Sequence, residues 1–287
     1  MGVKSCEAAG LPYFRGMSST MTDDMTDDTT DFIRVTDRGA VRTIALNRPE
    51  VFNSFNLEMG TAFQATLDAA AADNTVRCVV ITGTGKAFCA GQDLKEVTAP
   101  DAPDFTEIVE KTYNESVRRI RAMEKPVVGA INGVAAGAGA NIALACDLTI
   151  ARESVAFIQA FSKIGLIPDS GGTWMLPRLV GMQRAAALAF FGDKIMAAEA
   201  AAMGLIHRVV ADADFEAEVA NLADRLAAMP TRGLGLTKKA FNEGWSATLS
   251  DHLTRERDLQ MEASQTADYA EGVAAFLEKR KPEFTGR

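Results

Sequence analysis

INGVAAGAGANIALACD occupies positions 131–147 and, after a strand-like segment, FSKIGLIPDSGGTWMLPR occupies 161–178. Gly and Ala fill 135–140 without interruption and pass directly into a helical pattern at Ile142, Leu144 and Ala145. A helix that starts in such residues presents backbone N–H groups at the positive end of its dipole, with no bulky side chain shielding them. The second half carries one carboxylate, Asp169, between a proline and a Ser-Gly-Gly run, among apolar residues. A donor-rich helix start and an isolated acid close in sequence are the parts of an oxyanion clamp with an acid/base beside it. Small residues more often serve close packing, and Pro-Asp-x-Gly is also a common turn signal, so the residues alone leave both readings open.

Outward from this stretch the chain alternates. A strand pattern over 127–131 precedes it and another, over 148–151, lies inside it. Toward the N-terminus, 33–35 and 41–46 alternate around Asp37-Arg38-Gly39 as a hairpin. Met59, Phe63, Leu67 and Ala70 share one helical face. A short buried strand over 78–81 is closed by Gly83-Thr84-Gly85, and KAFCAGQDLKE (86–96) reads as a loop turning into a helix start. Phe105, Ile108, Val109, Thr112, Ser116 and Ile120 form a second amphipathic stripe, ended before Pro126. This alternation predicts an α/β architecture with covered sheets. After a last strand signal at 205–210, helices are expected over 215–226, 231–241, 246–264 and 268–279. Their apolar residues, such as Leu249, Leu253 and Met261, need a surface to cover, in the chain's own core or on a neighbouring subunit.

With 287 residues, 47% hydrophobic and 24% charged, the chain has the composition of a soluble globular protein with a sizeable core. A formal charge of −8 argues against a nucleic-acid binder, though a local basic patch would still suit an anionic ligand. No apolar run reaches the ~20 residues of a membrane helix. Cys6, Cys78, Cys89 and Cys146 form no CxxC pair and read as reduced thiols in a cytoplasm. Residues 1–31 are acidic, Thr-rich and punctuated by alternative starts at Met17, Met21 and Met25, which predicts a disordered leader. Folded sequence is expected from Phe32, as a core domain over 32–225 and a helical C-terminal oligomerisation region over 226–287.

LNRPEVFNSFN (46–56), TGKAFCAGQDLKE (84–96), KPVVGAINGVAAGAGANIALACD (125–147) and GLIPDSGGTWMLPRLVG (165–181), in this order, resemble the crotonase (enoyl-CoA hydratase/isomerase) superfamily. Within it, FCAGQDL, GLIPDSGGTW and the ending TADYAEGVAAFLEKRKPEFTGR resemble the isomerases that rearrange ring-epoxidised phenylacetyl-CoA. The resemblance implies a crotonase-like α/β spiral of ββα units with a helical C-terminal trimerisation region, assembled as a homotrimer or dimer of trimers. It implies an acyl-CoA substrate whose thioester oxygen sits on the backbone N–H groups of Gln92 and Ala138. The backbone around Ala90, Gln92 and Leu94 would cradle the adenine end of CoA. Asp169 stands where several superfamily isomerases place their proton-transferring acid, and Phe161, Leu166 and Trp174 would raise its pKa if they line the same pocket.

Hydratases of the superfamily activate water with two glutamates, and the matching positions here are Asn141 and Phe161, neither of which is a base. Hydration is therefore disfavoured, while proton shuttling by one carboxylate stays open. Asn141 either contacts substrate or satisfies local backbone. Lys86, Lys95 and the run 279–281 would suit CoA phosphates or a solvated face equally. Gly83-Thr84-Gly85-Lys86 lacks Walker spacing, Gly137-Ala138-Gly139 lacks the third glycine of a dinucleotide loop, and Ser170 is in no GxSxG elbow. His207 and His252 read as ordinary surface or core histidines, and no metal-ligand cluster stands out. The expectation is an acyl-CoA isomerase needing no cofactor or metal, acting by ring-epoxide to oxepin rearrangement or by a double-bond shift. The alternatives are a broad-specificity enoyl-CoA hydratase and a non-catalytic acyl-CoA binder, with no nucleic-acid or membrane partner.

Overall fold

Continuous apolar runs such as VVGAI (Val127–Ile131) suit strands buried on both faces of a parallel sheet. The computed structural model describes residues 27–29 and 32–287. Its strands are β1 (Asp27–Thr29), β2 (Ile33–Arg38), β3 (Val41–Leu46), β4 (Cys78–Gly83), β5 (Ala87–Cys89), β6 (Val127–Ile131), β7 (Val134–Ala136), β8 (Leu148–Arg152), β9 (Ala156–Ile158), β10 (Lys194–Met196) and β11 (Arg208–Val210). Its helices are α1 (Leu57–Ala72), α2 (Leu94–Val97), α3 (Phe105–Glu107), α4 (Glu115–Ala122), α5 (Ala138–Ala145), α6 (Gly172–Val180), α7 (Met182–Phe191), α8 (Ala197–Ala202), α9 (Phe215–Ala227), α10 (Thr231–Gly244), α11 (Leu249–Ala263) and α12 (Ala267–Glu278).

One sheet runs β1-β2-β3-β4-β6-β8-β11, antiparallel as far as β3 and parallel from there on. The second, smaller sheet runs β10-β9-β7-β5. The hairpin, α1 and the parallel strands follow the sequence pattern. The second sheet does not, because strands of three residues carry no readable period; KAFCAG, expected as a loop, contains β5. β1 pairs with β2 upstream of Phe32, where no strand was expected. A backbone ladder needs no apolar residues to form. The rest of the expected leader, with Cys6 and the alternative starts, lies outside the described residues.

Alternation along β4 sends Val79 and Ile81 to one hydrophobic cluster, with Phe63, Leu67 and Ile142, and Cys78 and Val80 to another under α9. Phe215, Val219, Ala223 and Ala227 of α9 are buried in that second cluster, so position 226 falls inside a helix of the core rather than after it. All eight residues of α5 are buried. A Cβ added to Gly129 of β6 would lie 3.3 Å from the Ala143 carbonyl, so the glycine lets α5 lie flat on the sheet. Just past α5, Asp147 accepts from the Val127 N–H (2.9 Å), from the buried Lys238 ammonium of α10 (2.9 Å) and from Arg121 (3.2 Å). Among the described residues no helix is long and apolar enough to cross a membrane.

Candidate active site

β5 and β7 each run out of the smaller sheet into one of the expected donors. Their parallel register pairs Cys89 with Ala135, so Gln92 and Ala138 each stand three residues beyond paired positions. The 46–56 segment fixes the first. Ala90 N–H donates to Phe52 O (3.0 Å), Phe55 N–H to Gly91 O (2.7 Å) and Asp93 N–H to Phe55 O (2.8 Å). Since the residues flanking Gln92 are bonded to Phe55, the N–H of Gln92 itself points the opposite way, to the side of β7. The bend in 46–56 is held by the buried Asn53 at φ +55°, whose Nδ2 donates to Thr84 O (2.9 Å) and Ala87 O (2.8 Å). Arg48 closes it with an ion pair to Asp93 at 2.9 Å.

Ala138 is the first residue of α5, behind Gly137 at φ +54°. The first N–H groups of a helix have no intrahelical acceptor. Among the described residues neither the Ala138 amide nor the Gln92 amide has one elsewhere. Two glycines bring the segments together. A Cβ on Gly91 (φ +96°) would lie 3.1 Å from Ala136 O and 3.6 Å from Ala138 N. One on Gly139 would lie 2.4 Å from Cys89 O, a distance real Cβ atoms do not adopt.

Ala90, Gln92, Leu94, Ala138, Phe161 and Asp169 line one cavity of about 290 Å³. Its remaining wall is mainly apolar, with Val97, Ile108, Val109 and Leu166. The Asp169 side chain is partly buried there, and that burial raises its pKa above the ordinary carboxylate value. The Ser170 hydroxyl, donating to Oδ1 at 2.8 Å, pulls the other way without reversing the shift. Ser170 itself is held at φ +51°.

Three of the residues considered lie off the cavity wall. Asn141 does not face the cavity: it is fully buried, its Nδ2 donating to the Asp169 main-chain carbonyl (2.8 Å) and its Oδ1 accepting from Gln159 (2.8 Å). Of the two uses expected for it, the structure assigns the local backbone. Lys95 is exposed on α2 beside Leu94, off the cavity wall, a surface position that agrees with either use expected of it. Trp174 is no part of the Asp169 surroundings in the cavity. It sits on the far side of α6, 5.8 Å from Trp245 with the Arg178 guanidinium 4.2 Å over its ring.

Tyr113 was not singled out from the sequence. Its hydroxyl donates to Gln92 Oε1 at 2.6 Å, and Gln92 Nε2 donates to Glu96 at 2.8 Å, so the Gln92 side chain is tied at both ends. Burial holds the phenol well above its ordinary pKa, so it remains a neutral donor. A helical period places Thr112 inward. The stretch Ile108–Asn114 is a π-helix, whose wider turn brings Tyr113 inward as well. Among the described residues no group of three or more His, Cys, Asp or Glu is placed to hold a metal ion.

The enoyl-CoA hydratase/isomerase family model matches residues 36–287. The chain is 49% identical over 261 residues to the 1,2-epoxyphenylacetyl-CoA isomerase of Escherichia coli (strain K12), a match covering 90% of this chain and 99% of that protein. It is 47% identical over 255 residues to a probable enoyl-CoA hydratase of Rhodobacter capsulatus, covering 89% and 98%. The crystal structure of an enoyl-CoA hydratase from Polaromonas sp. JS666 superposes with a TM-score of 0.83 at 36% identity, covering 88% of this chain and 99% of that one. The chain therefore belongs to the enoyl-CoA hydratase/isomerase family, and it is an enzyme with the crotonase fold.

Proposed function

We propose that this enzyme isomerises an acyl-CoA thioester without a cofactor, and that its substrate is a ring-epoxidised phenylacetyl-CoA, as the name of the Escherichia coli relative indicates. The observation that carries this reading is that Asp169 is the only carboxylate on the cavity wall among the described residues. The thioester oxygen accepts from the N–H groups of Gln92 and Ala138, and the charge that develops on it as the neighbouring carbon loses a proton meets donors already in place. Asp169 takes that proton and returns it at another position, so the net change is an isomerisation: epoxide to oxepin, or a shifted double bond. Water addition by paired carboxylates has no second acid here, since Asn141 and Phe161 hold the two matching places. The apolar wall, including Phe161 and Leu166, suits a ring-bearing acyl group. The backbone at Ala90 and Leu94 is assigned to the adenine end of CoA.

The C-terminal helices α10, α11 and α12 are assigned to self-association, because they leave large apolar side chains such as Leu249 (75% exposed) and Phe276 (83%) uncovered. Sedimentation of the purified enzyme as a trimer or hexamer supports this assignment, and a monomer overturns it.

The test of the activity is conversion of 1,2-epoxyphenylacetyl-CoA to oxepin-CoA by the purified enzyme, lost in Asp169→Asn. The name of the Rhodobacter capsulatus relative favours a second reading, hydration of an enoyl-CoA. Faster turnover of crotonyl-CoA to the hydroxyacyl product than of the epoxide would establish that reading instead.

A further inference from the structure

The main-chain carbonyl of Asp169 accepts from the Gly172 N–H (2.7 Å) and from Asn141 Nδ2 (2.8 Å). A carbonyl only accepts, so the atom of residue 141 that faces it has to be a donor, and this fixes the Asn141 amide in one orientation. Asn141 Oδ1 then turns to Gln159 and requires its Nε2, at 2.8 Å, which fixes a second amide. The sequence of forced choices ends at Gln159 Oε1, buried and without a partner among the described residues. The amide packs directly against the loop: a Cβ added to Gly172 would stand 2.3 Å from Asn141 Nδ2.

We propose that Asn141 and Gln159 are positioning residues for Asp169, and that position 141 works only with a side chain that donates toward the Asp169 main chain. This rests on the reading of Asp169 as the group that moves the proton. Substrate never meets either amide. They hold the loop on which the carboxylate is mounted, and so set its reach to the carbon beside the thioester.

Asn141→Asp is the discriminating variant, because it keeps the shape and changes the donor. Ionised, it sets one acceptor against another. Protonated, its O–H donates to the Asp169 carbonyl and its C=O accepts from Gln159, restoring both bonds. The probe is exchange of the hydrogens beside the thioester of phenylacetyl-CoA with solvent deuterium, followed by mass spectrometry. The expected result at about pH 8 is a kcat for exchange lowered roughly 10–100-fold with little change in KM. Divided by the parent rate at each pH, the variant's rate recovers as the pH is lowered toward about 6.

Parent-like kcat at every pH, or a loss that lowering the pH does not reverse, overturns the proposal. If Asn141→Asp does not fold, Gln159→Leu decides. That change removes the donor to Asn141 Oδ1 while leaving Asn141 in place, so kcat is expected to fall at a temperature where the variant is still fully folded. An unchanged kcat, or a kcat lost in step with the melting temperature, overturns the proposal. Asp169→Asn is measured in parallel. If it exchanges at the parent rate, the reading of Asp169 fails; if it is inactive while the Asn141 and Gln159 variants match the parent, only the positioning proposal fails.

Discussion

Asp169 is fastened by its main chain and left with a carboxylate among apolar side chains, an arrangement that favours function over stability. Its pKa is raised by burial, so the folded state binds the proton more tightly than the unfolded chain does. That contribution to stability is fully present below the unfolded-state value and is lost as the pH rises through the folded-state value. Asp169→Asn should therefore leave the melting temperature nearly unchanged at about pH 4 and raise it at about pH 7.5. A scan at both values checks this, and a lower melting temperature at the higher pH contradicts it. The ionised form is the base, so kcat/KM of the parent should fall on acidification at a higher pH than an ordinary aspartate would give. Asp169 and its apolar setting were legible in the sequence. The orientation of Asn141 was not, because it depends on a carbonyl 28 positions away.

At the scale of elements, the site is the junction of β5, β7 and α5. The Gly/Ala run revealed the helix start because only small residues allow its close approach, and Gly139 against Cys89 is the tightest instance. The β5 side was legible only through the family resemblance. Tyr113 was hidden because a π-helix adds a residue to the turn and so breaks the 3.6-residue period. The Ala138 amide can be tested almost alone. Proline at the first helical position removes an N–H that the helix does not use. Ala138→Pro should thus keep its far-UV circular dichroism while its kcat falls by roughly 10²–10³. Retained kcat in a folded variant would show that this amide does not carry the charge.

Across the whole molecule, the larger sheet is clamped between α1 and α5 on one face and α9 on the other, and α10 is tied to the end of α5 by one buried ion pair. Lys238 is 8% exposed and reaches Asp147 at 2.9 Å and the Ile120 carbonyl at 2.7 Å. Asp147→Ala would leave that buried ammonium without a counter-charge and the Val127 N–H without its acceptor, and should cost roughly 3–5 kcal/mol in urea unfolding. Lys238→Met should cost less, since the buried ammonium itself is removed while Asp147 keeps Arg121 and the Val127 N–H. Equal losses in the two variants would contradict this account of the contact.

The α/β order and the helical C-terminal part followed from periodicity, whereas the smaller sheet depends on tertiary pairing that a short local pattern does not encode. The most direct measurement is a crystal structure with a bound acyl-CoA. The account predicts the thioester oxygen about 2.7–3.1 Å from the nitrogens of both Gln92 and Ala138, with the Asp169 carboxylate facing the adjacent carbon. A thioester oxygen bound elsewhere, or Asp169 turned away from that carbon, would contradict it.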